Sequence, residues 1–152
     1  MKLRYLMLGN VSNGTANVSL LIFRVITCSL MLKHGIEKLR NFEMISPYFP
    51  DPLGVGSMNS LLMILFAEVG CSILIFFGFL TRLATIPLIF GMSIAAFMIH
   101  GQDPFAMKEL ALMYMGSFIV LLISGPGKYS MDYLIQRKFS PNDDDDETDL
   151  LV

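Results

Sequence analysis

Four long apolar runs, separated by short polar or Pro/Gly-rich punctuation, organise this chain. They cover about 18–40, 57–80, 82–100 and 106–124. Each run is continuous rather than alternating. A bilayer-spanning helix needs ~20 mostly apolar residues. A barrel strand instead alternates apolar and polar positions over ~10 residues. In lipid, a single span that must satisfy its own backbone is an α-helix. The pattern therefore predicts an all-α polytopic membrane protein, with four transmembrane helices in an antiparallel bundle spanning 18–127.

Punctuation marks the boundaries. Pro47, Pro50, Pro52, Gly54 and Gly56 make a loop after the first run. Thr81-Arg82 makes a tight connection, Gly101 to Pro104 separates the third and fourth runs, and Gly125-Pro126-Gly127 stops the fourth. Pro87 falls inside the third run and predicts a kink there. Residues 1–17 read as an N-terminal cytoplasmic segment, too short and too polar before the first span to be a cleaved signal. Residues 128–139 read as an interfacial segment and 140–152 as an acidic disordered tail.

Composition sharpens this picture. Of 152 residues, 54% are hydrophobic and only 16% charged, against about 25% charged in a soluble domain. Asp143 to Asp149 hold six of the 13 acids, so the body of the chain is mildly basic. Lys2, Arg4, Arg82, Lys128, Arg137 and Lys138 outweigh Lys38, Arg40 and Lys108 on the other side, which predicts cytoplasmic N- and C-termini. No basic, aromatic-studded stretch suggests nucleic-acid binding. Cys28 and Cys71 form no Cys-x-x-Cys pair, so neither a zinc site nor a thioredoxin-like motif is expected. Hydrolytic motifs are absent.

Candidate chemistry rests on ionisable residues inside the spans, which are costly in hydrocarbon and usually face the bundle interior with a partner. Glu68 lies mid-span on a small, polar stripe with Ser60, Cys71 and Ser72. It reads either as a proton carrier or ligand holder, or as the packing partner of Arg24. Arg24 is expected to reach inward to Glu68 or to snorkel to the headgroups. His34, Gly35 and Lys38 form a polar patch at the outer end of the first helix. There an imidazole suits proton exchange and Gly35 permits close helix approach. Glu109 opens the fourth helix, where it reads as a simple cap; Gly116 on its face also allows close contact. His100 and Asp103 fall on the same outer side; His100 and His34, two histidines with no fixed spacing, are a weak metal signal. No covalent or metal cofactor is expected.

Taken in order, these pieces resemble the DoxX family of small bacterial membrane proteins. Arg24 and His34-Gly35-x-x-Lys38-Leu39 look like its opening helix. Glu68 with Gly70, then Gly78-x-x-Thr81-Arg82, look like its second helix and turn. Glu109-Leu110-Ala111 with Tyr114 resembles its fourth helix, and Gly125-Pro126-Gly127-Lys128-Tyr129-Ser130-Met131-Asp132 its terminal signature. The resemblance implies the bacterial inner membrane, and a quinone-linked redox component tied to sulfur-compound oxidation or to oxidative and thiol stress. It makes Glu68 and His34 candidate catalytic residues, and Arg24, Lys38 and Glu109 candidate ligand-binding residues. The terminal signature is expected to be structural, with Ser130 capping the helix that follows. Quinone is the ligand this reading names, set among the first, second and fourth helices. Its partners are the lipid bilayer, a soluble or membrane redox partner and a second copy of the chain. The competing readings are a non-enzymatic membrane subunit or scaffold, and a small transporter.

Overall fold

The computed structural model describes residues 13–139, and the N-terminal residues 1–12 and the acidic tail 140–152 lie outside them. Four helices long and apolar enough to cross a membrane follow one another. They are α1 (Asn13–Arg40), α2 (Ser57–Phe77), α3 (Thr81–Ile99) and α4 (Phe105–Ser124). A Pro/Gly-rich loop joins α1 to α2, opening with the short helical turns Phe42–Ile45 and Ser46–Tyr48. A shorter helix, α5 (Met131–Phe139), follows the Gly-Pro-Gly break. No strand occurs among the described residues.

The antiparallel order brings the α1–α2 and α3–α4 loops to one end of the bundle, the loop end. The α2–α3 turn and α5 lie at the other, the turn end. A core of Cys28, Met31, Cys71, Leu88 and Phe118 fills the interior, while Ile22, Phe66, Phe90 and Ile123 project outward. Apolar side chains outside as well as inside are what a bundle surrounded by hydrocarbon requires. Gly35 is the close-contact point of α1 on α2: a Cβ there would meet Val69 Cγ2 at 2.6 Å and Glu68 Cβ at 3.0 Å. Gly116 has no such role, since nothing lies within 4 Å of the Cβ position.

Two boundaries differ from the hydrophobic pattern for local reasons. Helix α1 begins at Asn13 rather than near Val18, and its first turns are tethered by Asn17, whose Oδ1 accepts the Lys128 amide at 2.8 Å. Helix α2 ends at Phe77 although apolar residues continue to Leu80. Gly78 adopts the left-handed conformation there (φ 70°). Its amide donates to Ile75 O and that of Phe79 to Leu74 O, both at 2.9 Å, a Schellman stop. Helix α3 continues across Pro87.

The turn end is held by a buried charge. Arg24, only 2% exposed, donates from Nη1 to Pro126 O and from Nη2 to Tyr129 O, each at 2.8 Å. The expected pairing with Glu68 does not form, and neither does snorkelling. The guanidinium instead finds its counter-dipole in carbonyls just past α4, where a helix C-terminus is partly negative. Above it, Asp132 spans the α2–α3 turn: Oδ1 accepts Leu80 N at 2.8 Å and Oδ2 accepts Thr81 N at 2.9 Å. The Asp132 amide returns a bond to Gly78 O at 2.9 Å. Leu80 has a left-handed φ of 48°, which costs about 1–2 kcal/mol for a residue with a Cβ, and the carboxylate holds it there. A Cβ on Gly78 would strike Arg24 and lie 2.6 Å from Ser130 Cβ. Ser130 Oγ accepts the Tyr133 amide at 3.2 Å and so caps α5.

At the loop end, Asp51 gathers the α1–α2 connection onto α2. Its carboxylate accepts Ser60 Oγ at 2.8 Å, Gly56 N at 2.7 Å and Val55 N at 3.0 Å.

Two outcomes follow from these anchors. Arg24→Gln should lose charge-assisted bonds worth about 1.5–3 kcal/mol each. Limited proteolysis should then cut between Gly125 and Phe139 in the variant while the wild type resists. Hydrogen bonds from Ser60, then from the Gly56 and Val55 amides, hold the Asp51 carboxyl below the usual carboxylate range. A depressed pKa stabilises the folded loop above the ordinary carboxylate value and loses that stabilisation as pH falls through the depressed one. Hydrogen exchange of the Val55 and Gly56 amides should therefore accelerate in acid relative to neighbouring amides, and should be fast at all pH values in Asp51→Asn.

Candidate functional site

Glu68 sits mid-way along α2 and is 3% exposed. Its partner is Lys38, not Arg24. Lys38 Nζ lies 2.8 Å from Oε1 and 2.6 Å from Oε2, so one ammonium serves both carboxylate oxygens. Gly35, one turn before Lys38, lets α1 come close enough for that reach. The local geometry of α2 contributes too. Phe66–Cys71 form a π-helical segment, which widens the helix by one residue per turn and re-aims side chains. Such segments are rare and recur at functional sites. Losing one member of a buried pair costs about 3–5 kcal/mol, because a charge is left uncompensated.

The pair lines a cavity of about 600 Å³. One wall is α2, from Ser60 to Glu68, and the other is α3, from Pro87 to His100. The cavity exists because α3 packs chiefly on the π segment and C-terminal half of α2, and meets the first segment, Ser57–Leu65, at Gly91 against Ile64. A second π segment, Ala95–Ile99, shapes the facing wall. Phe49, Pro50, Pro52 and Leu53 of the loop anchored by Asp51 cover the space at the loop end. Phe66 and Phe90 both line it, yet they are 63% and 53% exposed on the outer surface. The cavity therefore opens sideways between α2 and α3, toward hydrocarbon. Its lining is apolar apart from Lys38, Glu68, Ser60 and His100.

The other residues singled out in the sequence lie elsewhere. His34 packs edge-on against Tyr114, ring centroids 5.7 Å apart, and does not line the cavity. Tyr114 in turn stacks on Phe118 at 6.4 Å. Arg24 belongs to the turn end. Glu109 is exposed and lies in the second turn of α4, which begins at Phe105, so it does not cap the helix. The structure thus brings together Lys38 and Glu68 alone of the five. The space beside them lies between α2 and α3 instead of among the first, second and fourth helices. Cys28 and Cys71 are buried free thiols. Among the described residues no three His, Cys, Asp or Glu side chains gather as a metal site.

Sequence reasoning missed the cavity's roof and far wall. The Pro-rich loop reads as a connector, and its only sign of another role is Phe49 and Leu53 among the prolines. The π segments carry no residue signature. The sequence sets His100 beside Asp103 and gives no sign that it lines this cavity.

Comparison with known proteins bears on this arrangement. The DoxX family profile matches residues 19–101, which takes in most of α1, all of α2 and α3, and every residue lining the cavity. The chain is 32% identical over 130 residues to the inner membrane protein YqjF of Escherichia coli K12, covering 81% of this chain and 96% of that protein. It is 28% identical over 132 residues to an uncharacterized protein of Haemophilus influenzae, covering 82% and 87%. No solved structure matches it. With its four apolar helices and a profile match over more than half its length, the chain belongs to the DoxX family of membrane proteins.

Proposed function

We propose that this protein is a quinone-binding redox component of the bacterial inner membrane, with both termini cytoplasmic, serving sulfur-compound oxidation or the response to oxidative and thiol stress. One observation carries the reading. A neutralised, bidentate Lys38–Glu68 pair stands in an apolar cavity that opens to the bilayer.

The residues fit a quinone on chemical grounds. Its head is flat and uncharged, with carbonyl acceptors, and its tail is hydrocarbon. An ammonium has three donors; two meet the Glu68 oxygens and the third is free for a carbonyl. The apolar slot between α2 and α3 suits a tail. A bound quinone supplies two-electron, two-proton chemistry; this chain's own residues bind, orient and handle protons. Lys38 orients the head and keeps its bonds to the Glu68 carboxylate beside it. Glu68 delivers or accepts a proton at its carboxylate oxygens, beside the apolar Ala67, Ile64 and Met92. Electrons come from a soluble or membrane redox partner.

A scaffold reading has an observation of its own: the Arg24 clasp spends a buried charge wholly on architecture. In that case the Lys38–Glu68 pair would fix helix register alone. An anion transporter draws less from the site, because Lys38 is already neutralised.

Mass spectrometry of organic extracts separates these readings. Protein purified gently from native membranes should carry a stoichiometric quinone. Glu68→Gln and Lys38→Met should reduce it by roughly tenfold or more, about 1.4 kcal/mol of binding. Replacing the pair together, Lys38→Met with Glu68→Leu, should recover stability lost in either single variant while still lacking quinone. Bulk lipids alone in the wild type, or full quinone in a folded Glu68→Gln protein, would overturn the proposal.

A further inference from the structure

Besides the ion pair, one titratable side chain lines the cavity, and it is His100. It ends α3 directly after the π segment, its amide bonded to Ala95 O at 3.0 Å. Its Nδ1 lies 2.8 Å from Asp103 Oδ2, and the Asp103 amide donates back to His100 O at 3.1 Å. Residues 100–103 are thus a tight turn that presents a carboxylate to the ring. Lys108 of α4 fastens the turn by donating to Gly101 O at 3.0 Å. A carboxylate only accepts, so Nδ1 carries the hydrogen and Nε2 remains to take or give a proton. This is the arrangement by which a second group fixes an imidazole tautomer. The His100 and Asp103 side chains are 35% and 45% exposed, so water reaches them at the loop end. Glu68, at 3%, has no such access.

We infer that His100, oriented by Asp103, is the proton port of the cavity, linking water at the loop end to the Glu68 carboxylate. The inference rests on the cavity being the working site described above. A proton from water binds Nε2 and gives an imidazolium. Nε2 then releases it to water in the cavity, which passes a proton on to a Glu68 oxygen, so that the carboxylate becomes the carboxylic acid as the ring returns to neutral. The reverse sequence discharges Glu68, and no electron moves in either direction. The charged groups around the ring are Asp103 in its own turn, Lys108 behind that turn, and Lys38 and Glu68 across the cavity. Asp51 is turned to its own loop amides and Ser60.

The test needs no bound quinone. The full chain in lipid nanodiscs is given an acid jump by photolysis of a caged proton. The infrared carboxylic-acid band that disappears in Glu68→Gln then reports protonation of Glu68. In His100→Ala the rise of that band should slow by about tenfold or more, a modest share of what a positioned acid–base group supplies. Added imidazole should restore it, which a purely structural loss would not allow. Asp103→Asn should slow it less and alter its pH dependence across about pH 5–8. A wild-type rate in His100→Ala, no rescue by imidazole, or no band belonging to Glu68 would each overturn the port. Quinone retention, measured by extraction of the same samples, tests the ligand reading alone, so the two fail separately.

Discussion

A charge inside hydrocarbon is solvated by the protein or not at all, and Arg24 and Glu68 are both almost wholly enclosed. They are compensated in opposite ways. Arg24 is met by carbonyl dipoles from a chain segment more than a hundred residues later. Glu68 is met by a formal charge, Lys38, on the neighbouring helix. The first solution closes the bundle by drawing the end of α4 and the start of α5 over α1 and the α2–α3 turn. The second leaves a polar pair on the wall of a cavity. Much of the architecture serves one or the other: Gly78 makes room for the guanidinium, and Gly35 brings α1 against α2.

This division separates the motifs by end of the bundle. Gly78-x-x-Thr81 and the Gly-Pro-Gly segment through Asp132 meet at the turn end, where Asp132 ties Leu80 and Thr81 while Arg24 ties Pro126 and Tyr129. Gly35, Lys38 and Glu68 meet near the middle and face the loop end. The turn end holds α2 and α3 together, so their divergence toward the loop end opens a cavity without loosening the bundle.

The four helices were legible because lipid leaves little choice: a continuous apolar run of sufficient length has to be a helix, and Gly and Pro mark its ends. Glu68 and Lys38 were legible as costly charges. Their pairing was not. Arg24 and Lys38 share a face of α1, and sequence spacing alone does not say which one reaches Glu68. The answer depends on where Gly35 touches α2 and on carbonyls of a segment whose return to α1 no local pattern encodes. His34 resembles Lys38 in spacing but finds the Tyr114 ring instead. The π segments were invisible because they are set by tertiary packing, and they shape both walls of the cavity.

The sideways opening between Phe66 and Phe90 has a thermodynamic consequence. A molecule passing from the bilayer into the cavity exchanges one apolar surrounding for another, so its tail gains almost nothing from burial; lipid tails are as apolar as leucine. Discrimination among membrane-dissolved molecules then falls on the few polar atoms around Lys38 and Glu68. Occupancy follows the mole fraction of ligand among the lipids rather than its concentration in water. What fills such a site would follow the composition of the membrane that surrounds it.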